Sequence, residues 1–94
     1  MAGPDSASAS ASSSVSVLYF AALRDLAGVP EERVSLSAAS VSVATLLQAL
    51  ETQHEALRGR LSSVRVAVDE EFTELSHELR GGEVVALIPP VSGG

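Results

Sequence analysis

Gly93 and Gly94 close the chain directly after the apolar run Leu87-Ile88-Pro89-Pro90-Val91-Ser92. Two residues without side chains present a carboxylate on a stalk thin enough to enter another protein's active site. Pro89 and Pro90 hold φ near about −65° and disfavour helical backbone before them, so the last residues should leave the domain extended. They also remove part of the ordering cost, roughly 1–2 kcal/mol per residue, before any partner is met. The terminal carboxylate is therefore the candidate reactive group. Other chemistries lack their residues. The chain has no cysteine, so a disulfide framework, a zinc cluster and a thiol nucleophile are excluded, and any sulfur chemistry must use a partner's cysteine or the C-terminus. His54 and His77 have no cysteine partner and read as surface residues without a metal role. Asp69, Glu70, Glu71 and Glu74 crowd one short stretch, which reads as a solvated turn better than as an acid–base pair.

The elements that must position this end fit one small domain. Ninety-four residues, 46% of them apolar, can bury a modest core without metals or disulfides. Twelve acidic residues against six cationic ones give a net charge of −6, and no basic patch interleaved with aromatics appears. Nucleic acid and anionic membrane are thereby disfavoured as partners, and a basic or neutral protein surface is favoured. All six cations are arginines; without lysine the chain offers no ε-amine through which it could be polymerised on itself. Residues 1–14 are almost wholly Ala, Ser, Gly and Pro, too poor in apolar surface to order, and they lack the arginines of a transit peptide and the apolar core of a secretory signal. No run is long enough to span a bilayer, and a cytosolic protein is expected.

Residues 15–90 read as the folded domain and 91–94 as the flexible tail. Val15 to Phe20 is β-branched and aromatic and predicts a central strand covered on both faces. Ala21 to Ala27 predicts a short helix capped by Gly28, and Arg33 to Leu36 a second strand, hairpin-related to the first. Ser37 to Ser42 supplies a loop and an N-cap for the main helix, whose Val43, Leu46, Leu47 and Leu50 recur at helical spacing. Gln53 to Ser63 predicts a looser connection with Leu57 and Leu61 turned inward. Val64, Val66 and Val68 alternate as a third strand, Phe72 to Leu75 forms a short edge segment, Gly81-Gly82 turn the chain, and Val84 to Ile88 is a last central strand. One mixed sheet over one helix is an α+β roll of the ubiquitin-like, β-grasp kind, with its first and last strands adjacent and its C-terminus projecting.

At this point the segment Val17-Leu18-Tyr19-Phe20-Ala21-Ala22-Leu23-Arg24-Asp25-Leu26-Ala27-Gly28 and the end Val85-Ala86-Leu87-Ile88-Pro89-Pro90-Val91-Ser92-Gly93-Gly94 add a resemblance. From Val15 onward the chain is similar to the small, sulfur-carrier subunits of molybdopterin synthase. That resemblance implies that an ATP-dependent enzyme of the ubiquitin-activating type adenylates Gly94 and that sulfur then replaces AMP to give a thiocarboxylate. It further implies that the tail, kept narrow by Gly93, enters the large synthase subunit and delivers sulfur to cyclic pyranopterin monophosphate, two deliveries building the dithiolene of molybdopterin. No cofactor would be held permanently, catalytic residues would sit on the large subunit, and two small and two large subunits would assemble.

By the same resemblance Phe20 and Arg24 face the partner subunit, Ile88 is a contact just before the prolines, and Pro89, Pro90, Val91 and Ser92 are partner-binding residues as well. Residue type alone reads Phe20 and Ile88 as core and Arg24 as a solvated helix face. Asp69 stands where the family commonly has asparagine. Three other functions share the fold: a sulfur carrier for thiamin or for tRNA thiolation, a ubiquitin-like modifier that passes its glycine to a lysine amine, and an adaptor with an inert tail. The Ile88-Pro89-Pro90-Val91-Ser92 context disfavours the first.

Overall fold

In a computed structural model, residues 13–90 are described. The expected N-terminal extension falls outside them up to residue 12, as does the whole tail from Val91 to Gly94. Strand β1 spans Ser14–Tyr19 and is followed by helix α1, Ala22–Ala27. Ala, Leu and Arg favour this short helix, and Gly28 ends it in the left-handed conformation (φ 83°), its N–H donating to the Arg24 carbonyl. Strand β2, Glu31–Ser35, returns antiparallel to β1, with Val15 opposite Val34 and Val17 opposite Glu32.

The two-residue strand β3, Val41–Ser42, leads into the main helix α2, Val43–Gln53. Ser42 caps that helix by accepting the Thr45 N–H at 3.1 Å, the role expected from its position. Val43, Leu46, Leu47 and Leu50 are buried, so the stripe read from their spacing is the face laid on the sheet. A 3-10 turn at Glu55–Leu57 carries Leu57, and with it Leu61, into the core, as the inward-turned leucines of a loose connection. Strands β4 (Arg65–Val68), β5 (Glu71–Thr73), β6 (Glu78–Leu79) and β7 (Val84–Ile88) complete the chain.

The main sheet runs β2-β1-β7-β4-β5, and β3 pairs with β6 in a small second sheet. β1 and β7 are parallel and adjacent, Val17 opposite Val85 and Tyr19 opposite Leu87, while β4 is antiparallel to β7. This is the β-grasp arrangement with both long apolar strands at its centre. The β3–β6 pair was not foreseen, because two-residue strands have no periodicity to read. Gly81 (φ 119°) brings the β6–β7 turn against the start of β1, where an added Cβ would lie 2.8 Å from the Ser13 Cβ.

One expectation is corrected. β1 and β7 are central within the sheet, but among the described residues only one of its faces is covered. Burial alternates along both: Val15, Val17, Tyr19, Val85 and Leu87 are buried, whereas Ser16, Leu18, Ala86 and Ile88 are half-buried and Val84 is exposed. Among the described residues one helix, α2, is long enough to cover a sheet face. Apolar residues on both sides of a strand imply two-sided burial only when a second layer exists.

Candidate functional site

The open face is built strand by strand from the register. Side chains opposite one another across a pair share a face. Leu18 stands opposite Ala86, Ala86 opposite Ala67, and Ala67 opposite Phe72, giving an apolar row across four strands. Ser16 and Val84 flank it on one side, Ile88 and Arg65 on the other. Phe20, one residue past β1, leans over this face, and with Leu18, Val84, Ala86, Asp69 and Glu70 it lines a groove of about 430 Å³. The chain has two phenylalanines, and both are exposed here, Phe20 at 45% and Phe72 at 59%. The core assignment that residue type gives Phe20 is therefore corrected.

Local backbone sets these positions. The Phe20 N–H donates to the Leu87 carbonyl at 3.3 Å, prolonging the ladder by one residue. Ala21 then adopts φ 54°, ψ −130°, and the N–H groups of Leu23 and Arg24 donate back to the carbonyls of Phe20 and Ala21. A non-glycine residue in that region carries strain of about 1–3 kcal/mol, and here it turns the chain sharply from strand to helix while Phe20 points outward. Arg24 is exposed on α1. Ile88 and Pro89 are half-buried and Pro90 is exposed, so the end of a central strand leaves the sheet beside Phe20. Val91, Ser92, Gly93 and Gly94 lie outside the described residues.

Phe72 escaped the sequence reading, which took it as part of an edge segment without a role. The available signal was its rarity: an aromatic between Glu71 and Thr73 in a chain only 3% aromatic. Its ring carries the Arg65 guanidinium 4.4 Å from its centroid, within cation–π range. The β4–β5 turn holds Asp69 and Glu70 both at positive φ (52° and 74°). Asp69 also bridges to β7: its N–H donates to the Val84 carbonyl and its Oδ1 accepts the Val84 N–H, each at 2.9 Å.

A second polar group lies on the covered side. The buried Tyr19 hydroxyl donates to Glu32 Oε2, and His54 Nε2 donates to the same oxygen at 2.6 Å. Burial first, and then the Glu32 carboxylate, push the Tyr19 hydroxyl far above its ordinary range, so it stays protonated. His54 is thus corrected from an isolated surface residue to a partner of a carboxylate 22 positions away in sequence, which no local spacing reveals. Among the described residues no three His, Cys, Asp or Glu side chains gather as a metal site. Nor is any described helix long and apolar enough to cross a membrane.

The model of the ThiS family matches residues 17–94. The chain belongs to the ThiS family. A Homo sapiens relative named molybdopterin synthase sulfur carrier subunit is 35% identical over 83 residues, 85% of this chain and 93% of that protein. Among solved structures, this ThiS-family chain is similar to a putative molybdopterin converting factor subunit 1 from Pyrococcus furiosus (TM-score 0.76, 32% identity, 84% of this chain and 99% of that one). It is also similar to a chain in a complex of subunits 1 and 2 of the molybdopterin-converting factor from Helicobacter pylori (TM-score 0.57, 27% identity, 86% and 99%). The resemblance read from the first strand and the last ten residues holds across the domain.

Proposed function

We propose that this chain is the sulfur carrier subunit of a molybdopterin synthase, with Gly94 as the residue that carries sulfur. The observation that supports this most is where the last strand ends. β7 runs through the middle of the sheet and leaves it at Pro89-Pro90, beside an exposed apolar face that bears both phenylalanines. A rigid strand thereby feeds the reactive end, and a docking surface lies next to its exit.

The chemistry follows from the carboxylate. Ionised at neutral pH, it is a poor electrophile and needs activation. Attack of the Gly94 carboxylate on ATP at an activating enzyme gives the acyl adenylate and pyrophosphate. A sulfur donor then displaces AMP, leaving the thiocarboxylate. That sulfur passes to cyclic pyranopterin monophosphate on the large subunit, and Gly93 keeps the approach narrow. The chain supplies the tail and the docking face and holds no permanent cofactor. Phe20, Arg24 and Ile88 meet the large subunit, as do Pro89, Pro90, Val91 and Ser92. The Helicobacter pylori subunit 1–subunit 2 complex supports such a partner. Two small and two large subunits working in the cytosol complete the reading.

Intact mass after incubation with an activating enzyme, ATP and a sulfur donor tests it. A gain of about 16 Da, sulfur replacing oxygen, confined to the C-terminal peptide is expected. Deleting Gly94 should abolish that gain and molybdopterin formation while leaving the thermal midpoint nearly unchanged. Sulfur elsewhere on the chain, or conjugates to lysines of other proteins in its place, would overturn the proposal.

A further inference from the structure

The apolar floor of the open face is bordered by charges whose signs alternate around it. Arg65 stands at the tail end of β4, opposite Ile88. Four residues further, at roughly 3.3 Å per residue, Asp69 and Glu70 close the far end of the same strand and line the groove. On the β2 edge the order is reversed: Glu31 is opposite Leu18, and Arg33 is opposite Ser16 at the end away from the tail. All five side chains are exposed, and Arg65 is fixed in place over the Phe72 ring. Asp69 is fixed by its hydrogen bond to Val84.

Apolar contact has no direction of its own, so a flat floor of Leu18, Ala86, Ala67 and Phe72 would accept a partner in several rotations. Alternating charges remove most of them, because a quarter turn sets like charges together. A half turn is opposed by shape, Phe20 and Ile88 standing at the tail end and the smaller Val84 at the other. Rotation matters here because the four residues beyond Pro90 can span only about 14 Å when fully extended. A partner docked in the wrong rotation puts its reaction centre out of reach.

We infer that Asp69 and Glu70, with Arg65 as their opposite pole, are specificity-determining residues that set the rotation in which the large subunit docks. They require of that subunit an apolar patch with a cationic side chain facing the β4–β5 turn and an anionic one facing Arg65. The inference rests on the proposed carrier function.

The test uses the thiocarboxylated full chain and its intact large subunit. Asp69→Asn/Glu70→Gln removes the charges while keeping the Oδ1 acceptor for Val84 and the side-chain shapes. Glu71→Gln is the control, since its register partner Val68 faces the core. The association rate of the double variant at low salt should fall roughly 3- to 10-fold, with most of the salt dependence lost, because rim charges act chiefly on encounter. Sulfur transfer per bound complex should also fall, as misrotated complexes hold the tail away from the reaction centre. Both readouts should stay within about 2-fold of wild type in Glu71→Gln, as for most exposed substitutions outside an interface's energetic centre. Glu70→Lys should exceed the double variant in both effects. Wild-type binding whose rate, salt dependence and transfer are untouched by these changes would overturn the inference alone. So would finding the face occupied by a second copy of this chain. Failure of the wild-type chain to bind the large subunit would overturn the carrier reading itself.

Discussion

Both faces of the sheet carry apolar residues, and the two have opposite fates. Beneath, Val15, Val17, Val66, Val68, Val85 and Leu87 meet the leucines of α2 and are closed off from water. Above, Leu18, Phe20, Phe72, Val84 and Ile88 meet no second layer among the described residues. The open face also carries Ser16, Glu31, Arg33 and Arg65 among its apolar residues, which the buried strand positions do not. Their fates differ because, among the described residues, a single long helix follows β2 and β3 and can cover one side only. The covered face is therefore expected to hold the domain together, and the open face to choose a partner.

Breaking the covered face should have the largest effect. Leu50→Ala empties a fully buried site beneath the sheet and should cost about 2–5 kcal/mol of stability by denaturant unfolding. The fraction still folded should bind the large subunit normally. On the open face the pattern should reverse. Phe20→Ala should weaken binding to the large subunit by about 1–4 kcal/mol in titration calorimetry while leaving the unfolding midpoint almost in place. A stability loss of core size in that variant would collapse the distinction between the faces.

Smaller effects sharpen the contrast. Glu70 occupies a left-handed position (φ 74°) that glycine adopts without strain. Glu70→Gly relieves strain of about 1–3 kcal/mol but adds unfolded-chain entropy worth about 0.4–1 kcal/mol, so stability should rise modestly while association with the large subunit slows, a trade that a purely structural turn would not make. Glu83 probes the fold at the β6–β7 turn, away from both faces. Burial works against its charge, yet the N–H groups of Arg80 and Gly81, at 2.9 and 2.7 Å, hold its carboxyl below the ordinary carboxylate value of 4.5. A carboxyl lowered in the folded state stabilises above its unfolded pKa, and that contribution is lost as pH falls through the lowered value. Glu83→Gln should thus be less stable than wild type at pH 7, with the gap closing on acidification below 4.5 in pH-resolved melts.

Much of the fold was legible because its signals are local. The Gly28 cap, the Ser42 N-cap and the α2 stripe each rest on residues within one or two helical turns, where side-chain spacing dictates contact. Phe20 and Ile88 were read as partner contacts only through family resemblance, since an apolar residue at a strand end looks the same whether it points to core or to water. Phe72 was missed because its role depends on pairing with Ala67 and through it on β7, a relation between strands far apart in the chain. His54 was misread for the same reason.

The sequence by itself determined the period of each long strand and helix, the absence of cysteine and lysine, and a glycine end preceded by two prolines. These follow from covalent geometry and side-chain chemistry, which need no distant partner. Only the tertiary structure decided which face of the sheet α2 covers, that Tyr19, Glu32 and His54 share one oxygen, and that Arg65 and the Asp69–Glu70 turn bracket the same apolar floor. Those are facts of strand order and register, fixed by cooperative burial of the whole core and not by any short stretch of the chain.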